Sequence, residues 1–395
     1  MYKKCPAHGA FDTLVWEDDA AAYLQWIAYG GSPRDKAVNT HPREVREGCP
    51  LDCGICENHA KDISTAALMT TNVCDVQCPI CFTKDPAQKP YMPENNELLQ
   101  IAQGYKDVYG ADHPIELCGG EPTVRDDLPE LVNGLRKLGF EHIQLNTNGL
   151  RISNDPGFLI RLKESGLTVV YLGFDSAEED AYIRKYGRRM LGAKLRAIEN
   201  CASTEIAVAL VPVVIKGVNS DKLGDIIGVA KNHMPVVKAV YFQPVSYFGH
   251  YPAAPRNEDR ITIPEILRNL EEQTCGEICK THFKPGGAEH ALCSFTAFYM
   301  MDKAGVLKAM TRYGPRSVVE DSAKKVIEHN KKVWCYNSTK TLAIGGMHFQ
   351  DAWNMDIQRL QKCRICILNA DGKIIPLCTK YVTSMSGRKL YNGIS

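Results

Sequence analysis

Apolar and polar positions alternate along this chain in two rhythms. Runs rich in aliphatic and β-branched residues recur at Ala66–Cys74, Pro114–Cys118, His142–Asn148, Thr168–Asp175, Ile206–Ile215 and Ala239–Val245. Such near-continuous hydrophobicity suits strands covered on both faces, as in a parallel sheet. Between them, Asp127–Leu138, Gly157–Glu164, Leu191–Asn200, Leu223–Lys231 and Ile263–Glu272 space apolar residues three and four apart, the period of a helix with one buried face. Strand, helix and strand in alternation, joined by right-handed crossovers, build a parallel α/β sheet. Six such strands predict a partial (β/α)6 barrel over residues 66–250. Residues 1–65, rich in Cys, Pro and His, read as a separate N-terminal segment. Beyond about Pro252 the periodicity dissolves into loops and helices, with a strand-like stretch at Lys373–Pro376. Residues 251–395 are therefore expected to form a C-terminal domain capping the barrel.

Composition narrows the classes. Hydrophobic residues at 44% and charged residues at 24% of 395 positions are globular values, which excludes a disordered tail protein. Lys and Arg number 47 against 46 Asp and Glu, a net charge of +1, so no bulk charge draws the chain to nucleic acid. The longest apolar stretch, Ile206–Ile215, is too short to span a bilayer, and Met1 is not followed by a signal peptide. The expected location is the cytoplasm, with peripheral contact to a membrane left open.

Cysteine changes the picture. The chain has 16, and their grouping points to metal centres, because disulfides between such near neighbours would be strained. One group is Cys49, Cys53 and Cys56; another is Cys74, Cys78 and Cys81. Cys275, Cys279 and Cys293 share a loop-like stretch. Cys363, Cys366 and Cys378 lie near the end, with Cys335 upstream. A tight turn over Asn369–Gly372 would fold Cys378 back toward Cys363 and Cys366. Cys5 is expected either as a ligand to the Cys49/Cys53/Cys56 centre or as an isolated thiol. Structural zinc is the alternative for the paired cysteines outside the Cys74 group. Three thiolates from one tight loop can instead hold three irons of a [4Fe–4S] cube and leave the fourth iron open to a chelating molecule.

In parallel barrels the functional groups collect at the C-terminal strand ends. Cys74, Cys78 and Cys81 follow the first predicted strand, and Gly119, Gly120, Glu121 and Pro122 the second. Asn146 and Asn148 end the third, Asp175 the fourth and Gln243 the sixth. Glycine backbone in that turn would let a ligand's amino and carboxylate groups approach closely.

The loop VCDVQCPICF and the turn CGGEPTVRDDL, one strand apart, resemble those of the radical S-adenosylmethionine (SAM) superfamily. A narrower resemblance, carried by KCPAHG, GCPLDCGICENH, VVIKGVNSDKLGDI, FQPVSYFG, RITIPEI and GGMHFQDAWNMDIQRLQKC, is to the archaeal tetraether synthase group, which includes a methanopterin methylase. The resemblance implies a radical SAM barrel with Cys-rich Fe–S extensions at both ends. One cluster on Cys74, Cys78 and Cys81 would cleave SAM, with two or more auxiliary clusters elsewhere. It also implies an electron donor such as ferredoxin or flavodoxin and attack on an unactivated C–H bond. The leading expectation is carbon–carbon bond formation on a lipid-like substrate. The alternative is methylation of a small pterin-like molecule, and a non-catalytic Fe–S or zinc scaffold is a third. Glu121 is the expected contact to the methionine amino group. Asn148 and Asp175 are candidates for ribose or substrate contacts.

Overall fold

The computed structural model describes residues 1–7, 9–29, 46–51, 53–61, 63–84, 89–286, 290–311, 335–369, 371–385 and 387–391. A small antiparallel hairpin of β1 (Tyr2–Cys5) and β2 (Gly9–Asp12) opens the chain. The main sheet begins with β3 (Thr65–Thr71), β4 (Ile115–Gly119), β5 (Ile143–Thr147), β6 (Val169–Gly173), β7 (Ala207–Val211), the short β8 (Val213–Val214) and β9 (Val237–Pro244). β3, β4, β5, β6, β7 and β9 run parallel in that order, the six strands expected of the partial barrel.

The C-terminal third departs from its sequence expectation. It contributes β10 (Lys284–Pro285), β11 (Ser294–Met301), β12 (Leu307–Ala309), β13 (Thr341–Met347), β14 (Ile365–Leu368) and β15 (Ile374–Pro376) to the same sheet. β13 adds in parallel beside β9, and β14 in parallel beside β3, so both edges of the six-stranded core are extended by late segments. Alternation concealed β13: its glycines stand where larger side chains would collide. A Cβ on Gly346 would lie 2.3 Å from the carbonyl of Phe242, and one on Gly345 2.7 Å from that of Phe295. β14 and β15 form the antiparallel hairpin that the turn at Asn369–Gly372 implied.

Helices pack on the outside. In the helix Leu128–Lys137, Leu128, Leu131, Val132 and Leu135 face the sheet, at the spacing of one helical stripe. Asp155 accepts from the amide of Phe158 to start the helix Pro156–Ser165, and Gly166 ends it in the left-handed region at φ 108°. These helices cover Leu117, Leu145, Val170, Leu172, Val208, Leu210, Val240 and Phe242, all fully buried on the strands' outer face. The inner face differs. Glu116, Asn146, Tyr171, Gly173, Val211, Tyr241 and Gln243, on alternating positions, are only half-buried. The barrel interior thus keeps solvent access. Among the described residues no helix is long and apolar enough to cross a membrane.

Candidate active site

The cysteine loop leaves the C-terminal end of β3. Cys74, Cys78 and Cys81 line one cavity of about 270 Å³ together with Asn72, Val73 and Gly120. Cys81 and His250 exchange backbone hydrogen bonds of 2.9 Å each, pinning the loop to the segment after β9. Burial pushes the Cys74 thiol up to about 12 and the Cys78 thiol up to about 11; ligation by iron takes the thiolate and so releases those protons. Three soft donors on one cavity fit an Fe–S cluster. Among the described residues no three His, Cys, Asp or Glu groups close tightly around a single ion. A cubane holds its thiolates farther apart than one ion does.

Gly119 and Gly120 bring the next turn against this loop. A Cβ on Gly119 would lie 2.0 Å from the carbonyl oxygen of Thr71, and one on Gly120 2.3 Å from that of Val73. Only glycine lets the turn lie flat on the loop's root, with φ of Gly119 at 137°. The missing side chains therefore make room for protein backbone, and Gly120 also borders the cysteine cavity.

Glu121 follows, fully buried. Its Oε1 accepts from the Thr123 amide (3.1 Å), the Thr123 hydroxyl (2.7 Å) and the Thr147 hydroxyl (2.6 Å), and its Oε2 from the Asn148 amide (2.6 Å). Burial raises the carboxyl's pKa, with these hydrogen bonds pulling against it. Pro122 begins the short 3-10 turn that Glu121 caps. Asn148 reaches further. Its Nδ2 donates to Asp75 in the cysteine loop at 2.6 Å, and its carbonyl accepts from Lys194 Nζ at 2.5 Å. One residue ties cysteine loop, glycine turn and helix Leu191–Ser203 together.

Asp175 is buried after β6. Burial alone would raise its pKa; the Lys185 ammonium at 2.8 Å and the Tyr186 hydroxyl at 2.5 Å overcome this and hold it below the ordinary value. The same lysine and Lys194 act on the Cys78 thiol. Lys194 is itself fully buried, and burial brings it down to about 8. Asn146 sits lower, on the inner face of β5, where its Nδ2 donates to Glu116 Oε1 at 2.5 Å. Gln243 is half-buried on β9, its backbone N–H donating to the carbonyl of Pro212.

The remaining cysteines separate. Cys49, Cys53 and Cys56 stay together, Cys53 hydrogen-bonded with Cys49 and close to Thr379 and Cys56. Cys378 is influenced by Cys363 and by Cys293, whose sulfur accepts from Arg359 Nε at 3.3 Å. Cys366 faces elsewhere: fully buried on β14, it packs in the outer core near Tyr105. Cys275 is exposed, and Cys279 donates to Glu271 at 2.8 Å beside the helix Ile263–Gln273. Cys335 lies near His142 at the opposite end of the strands. Cys5 is on the N-terminal hairpin, bordering a cleft with Phe11 and Trp353.

Sequence reasoning passed over Glu116, Lys185 and Lys194. Glu116 is a lone charge inside the apolar strand IELCG, and that anomaly was its signal. The two lysines sit on amphipathic helices, where a lysine ordinarily marks the solvated face.

The profile of the Radical SAM superfamily matches residues 68–230. Over 446 aligned positions the chain is 32% identical to the 7,8-dihydro-6-hydroxymethylpterin dimethyltransferase of Methanocaldococcus jannaschii, covering 95% of this chain and 87% of that one. It is 26% identical over 234 residues to a probable GTP 3',8-cyclase of Saccharolobus islandicus, covering 58% and 72%. Among solved structures, methylornithine synthase superposes with a TM-score of 0.41 at 14% identity, covering 56% of this chain and 64% of that one. With the three cysteines gathered at the mouth of a parallel barrel and a relative matched along nearly its whole length, this chain belongs to the radical SAM superfamily and is a radical SAM enzyme.

Proposed function

We propose that the enzyme methylates a reduced pterin. The observation that carries this is the 32% identity to a pterin dimethyltransferase along 95% of the chain. It supports methylation of a pterin-like molecule over the lipid substrate that the tetraether resemblance put first. The interior points the same way, since a barrel lined by Glu116, Gln144 and Asn146 is a costly surface for two alkyl chains.

Cys74, Cys78 and Cys81 would hold the cluster, and the Gly119–Pro122 turn beside them would border bound SAM. When bound, cluster and SAM together supply a 5′-deoxyadenosyl radical that takes a hydrogen atom from a C–H bond, given an electron from an external donor. The chain's own part is positional. The Glu121 and Asn148 hydrogen bonds fix the turn and the loop relative to each other, and the Asp175–Lys185 pair braces the wall beside Cys78. Cys293, Cys363 and Cys378 are the set we assign to one auxiliary cluster, and Cys49, Cys53 and Cys56 to a second. On this reading residues 1–65 and 251–395 are the auxiliary parts around the barrel of residues 66–250. Anaerobic incubation with SAM and dithionite, beside either 6-hydroxymethyl-7,8-dihydropterin or a total lipid extract, tests the reading by product mass. With SAM in excess, one molecule as the radical source and a second as the methyl donor, and dithionite supplying both electrons, a methylated pterin and unchanged lipid are expected; coupled lipid with an unchanged pterin overturns it.

A further inference from the structure

Glu116 is out of place by the ordinary rules of a barrel strand. It is a carboxylate on the inner face of β4, two residues below Cys118, and among the described residues no Lys or Arg pairs with it. Burial pushes its carboxyl up to about 7, and among the described residues the hydrogen bond it takes is from Asn146 Nδ2 to Oε1. A half-buried carboxylate without a cation is costly unless something donates to it.

Its surroundings say what that could be. Glu116 shares a rung with Gln144, and Asn146 shares one with Tyr171. The Gln144 side chain is hydrogen-bonded with Tyr171, and Tyr241 is close to Tyr171 across the interior. On the same two rungs Val169, Ala207, Ala209, Ala239 and Ala343 continue the layer as an apolar wall. Glu116, Asn146, Tyr171 and Tyr241 are half-buried while Gln144 is buried, so the polar part of the layer keeps solvent access beside the apolar wall. At about 3.3 Å per residue, Glu116 lies roughly 10 Å beneath Gly119 along β4, about the length of a bicyclic ring system below the turn.

We infer that Glu116 and Asn146 form the recognition site for the 2-amino-4-oxo edge of the heterocycle, Glu116 accepting from the ring N3–H and the exocyclic amine while the second N–H of Asn146 donates to the C4 carbonyl. Two parallel N–H donors against one carboxylate make a bidentate, charge-assisted pair. The ligand then gives Oε1 a second donor beside Asn146 and gives Oε2 a donor that none of the described residues supplies. This inference rests on the pterin reading and adds how the substrate is held and why a heterocycle lacking the 2-amino group would be refused.

The test is equilibrium binding to the anaerobically reconstituted full chain, without reductant, of two probes: 6-hydroxymethylpterin and 6-hydroxymethyllumazine, which has a carbonyl in place of the 2-amino group. Wild type should prefer the pterin by about tenfold or more, because the lumazine sets a carbonyl against the carboxylate. Glu116→Gln should lose that preference and Glu116→Asp should recover part of it. Asn146→Ala should weaken both probes alike, since both keep the C4 carbonyl. Circular dichroism on each variant separates lost binding from lost fold. A wild type that binds neither probe overturns the pterin reading itself. A wild type that binds both equally, or a folded Glu116→Gln that keeps the preference, overturns the inference and leaves that reading standing.

Discussion

The backbone amide of Asn148, at the end of β5, donates to Oε2 of Glu121, in the turn after β4, at 2.6 Å. Through this bond the glycine turn and the neighbouring strand end move as one piece. The Asn148 side chain carries the link on to Asp75 in the cysteine loop.

Replacing Glu121 by Ala strands four donors: the amide and hydroxyl of Thr123, the hydroxyl of Thr147 and the amide of Asn148. Each buried, unpaired group costs about 1–3 kcal/mol. The variant should therefore lose stability by a few kcal/mol, with SAM affinity falling as a consequence. Thermal unfolding of the anaerobic protein beside SAM binding checks this. An unchanged melting temperature with lost SAM binding would place the carboxylate on the ligand, as the motif by itself suggests.

The legibility of the sequence was uneven, and the causes are physical. The six barrel strands were visible because burial on both faces leaves β-branched runs; Val169–Gly173 lies wholly within the predicted Thr168–Asp175. In the C-terminal third the strand-like Lys373–Pro376 was legible and is β15, whereas β13 was not, since Gly345 and Gly346 serve close backbone approach and carry no hydrophobic pattern. Among the candidate site residues, the strand-end rule found Asn148 and Asp175 but could not tell which atoms their polar groups serve. Spacing also could not show that Cys366, three residues from Cys363, points to the outer core: the side of a strand a residue occupies depends on pairing register.

That register gives a test of the auxiliary set. Cys293→Ala, Cys363→Ala and Cys378→Ala should each lower bound iron by one cluster's worth. Cys366→Ala should retain the iron and lose only some packing, because its sulfur lies in the core near Tyr105. Iron and sulfide analysis of the four reconstituted variants decides; loss of the same cluster in Cys366→Ala would contradict the assignment.

Glu116 predicts a pH signature. Its carboxyl, facing Cys118, Tyr171, Tyr381 and Asn146, keeps its proton up to about pH 7 in the folded chain, against 4.5 for an ordinary glutamate. Between those values the folded state binds more protons than the unfolded one, so this group's contribution to stability falls as pH rises through that window. Glu116→Gln removes the loss. The variant should melt higher than wild type by a few degrees at pH 8, and by little or nothing at pH 4.5. Thermal scans at both pH values would contradict this by giving the same difference at each.

The central claim is that the hydrogen atom removed by this enzyme comes from a pterin. Synthetic 6-hydroxymethyl-7,8-dihydropterin carrying deuterium on C7 and on the hydroxymethyl carbon, incubated anaerobically with SAM and reductant, tests it directly by mass spectrometry of the 5′-deoxyadenosine formed. The account predicts deuterium in the 5′-deoxyadenosine and its loss from the pterin. Unlabelled 5′-deoxyadenosine beside a pterin that keeps all its deuterium would contradict it.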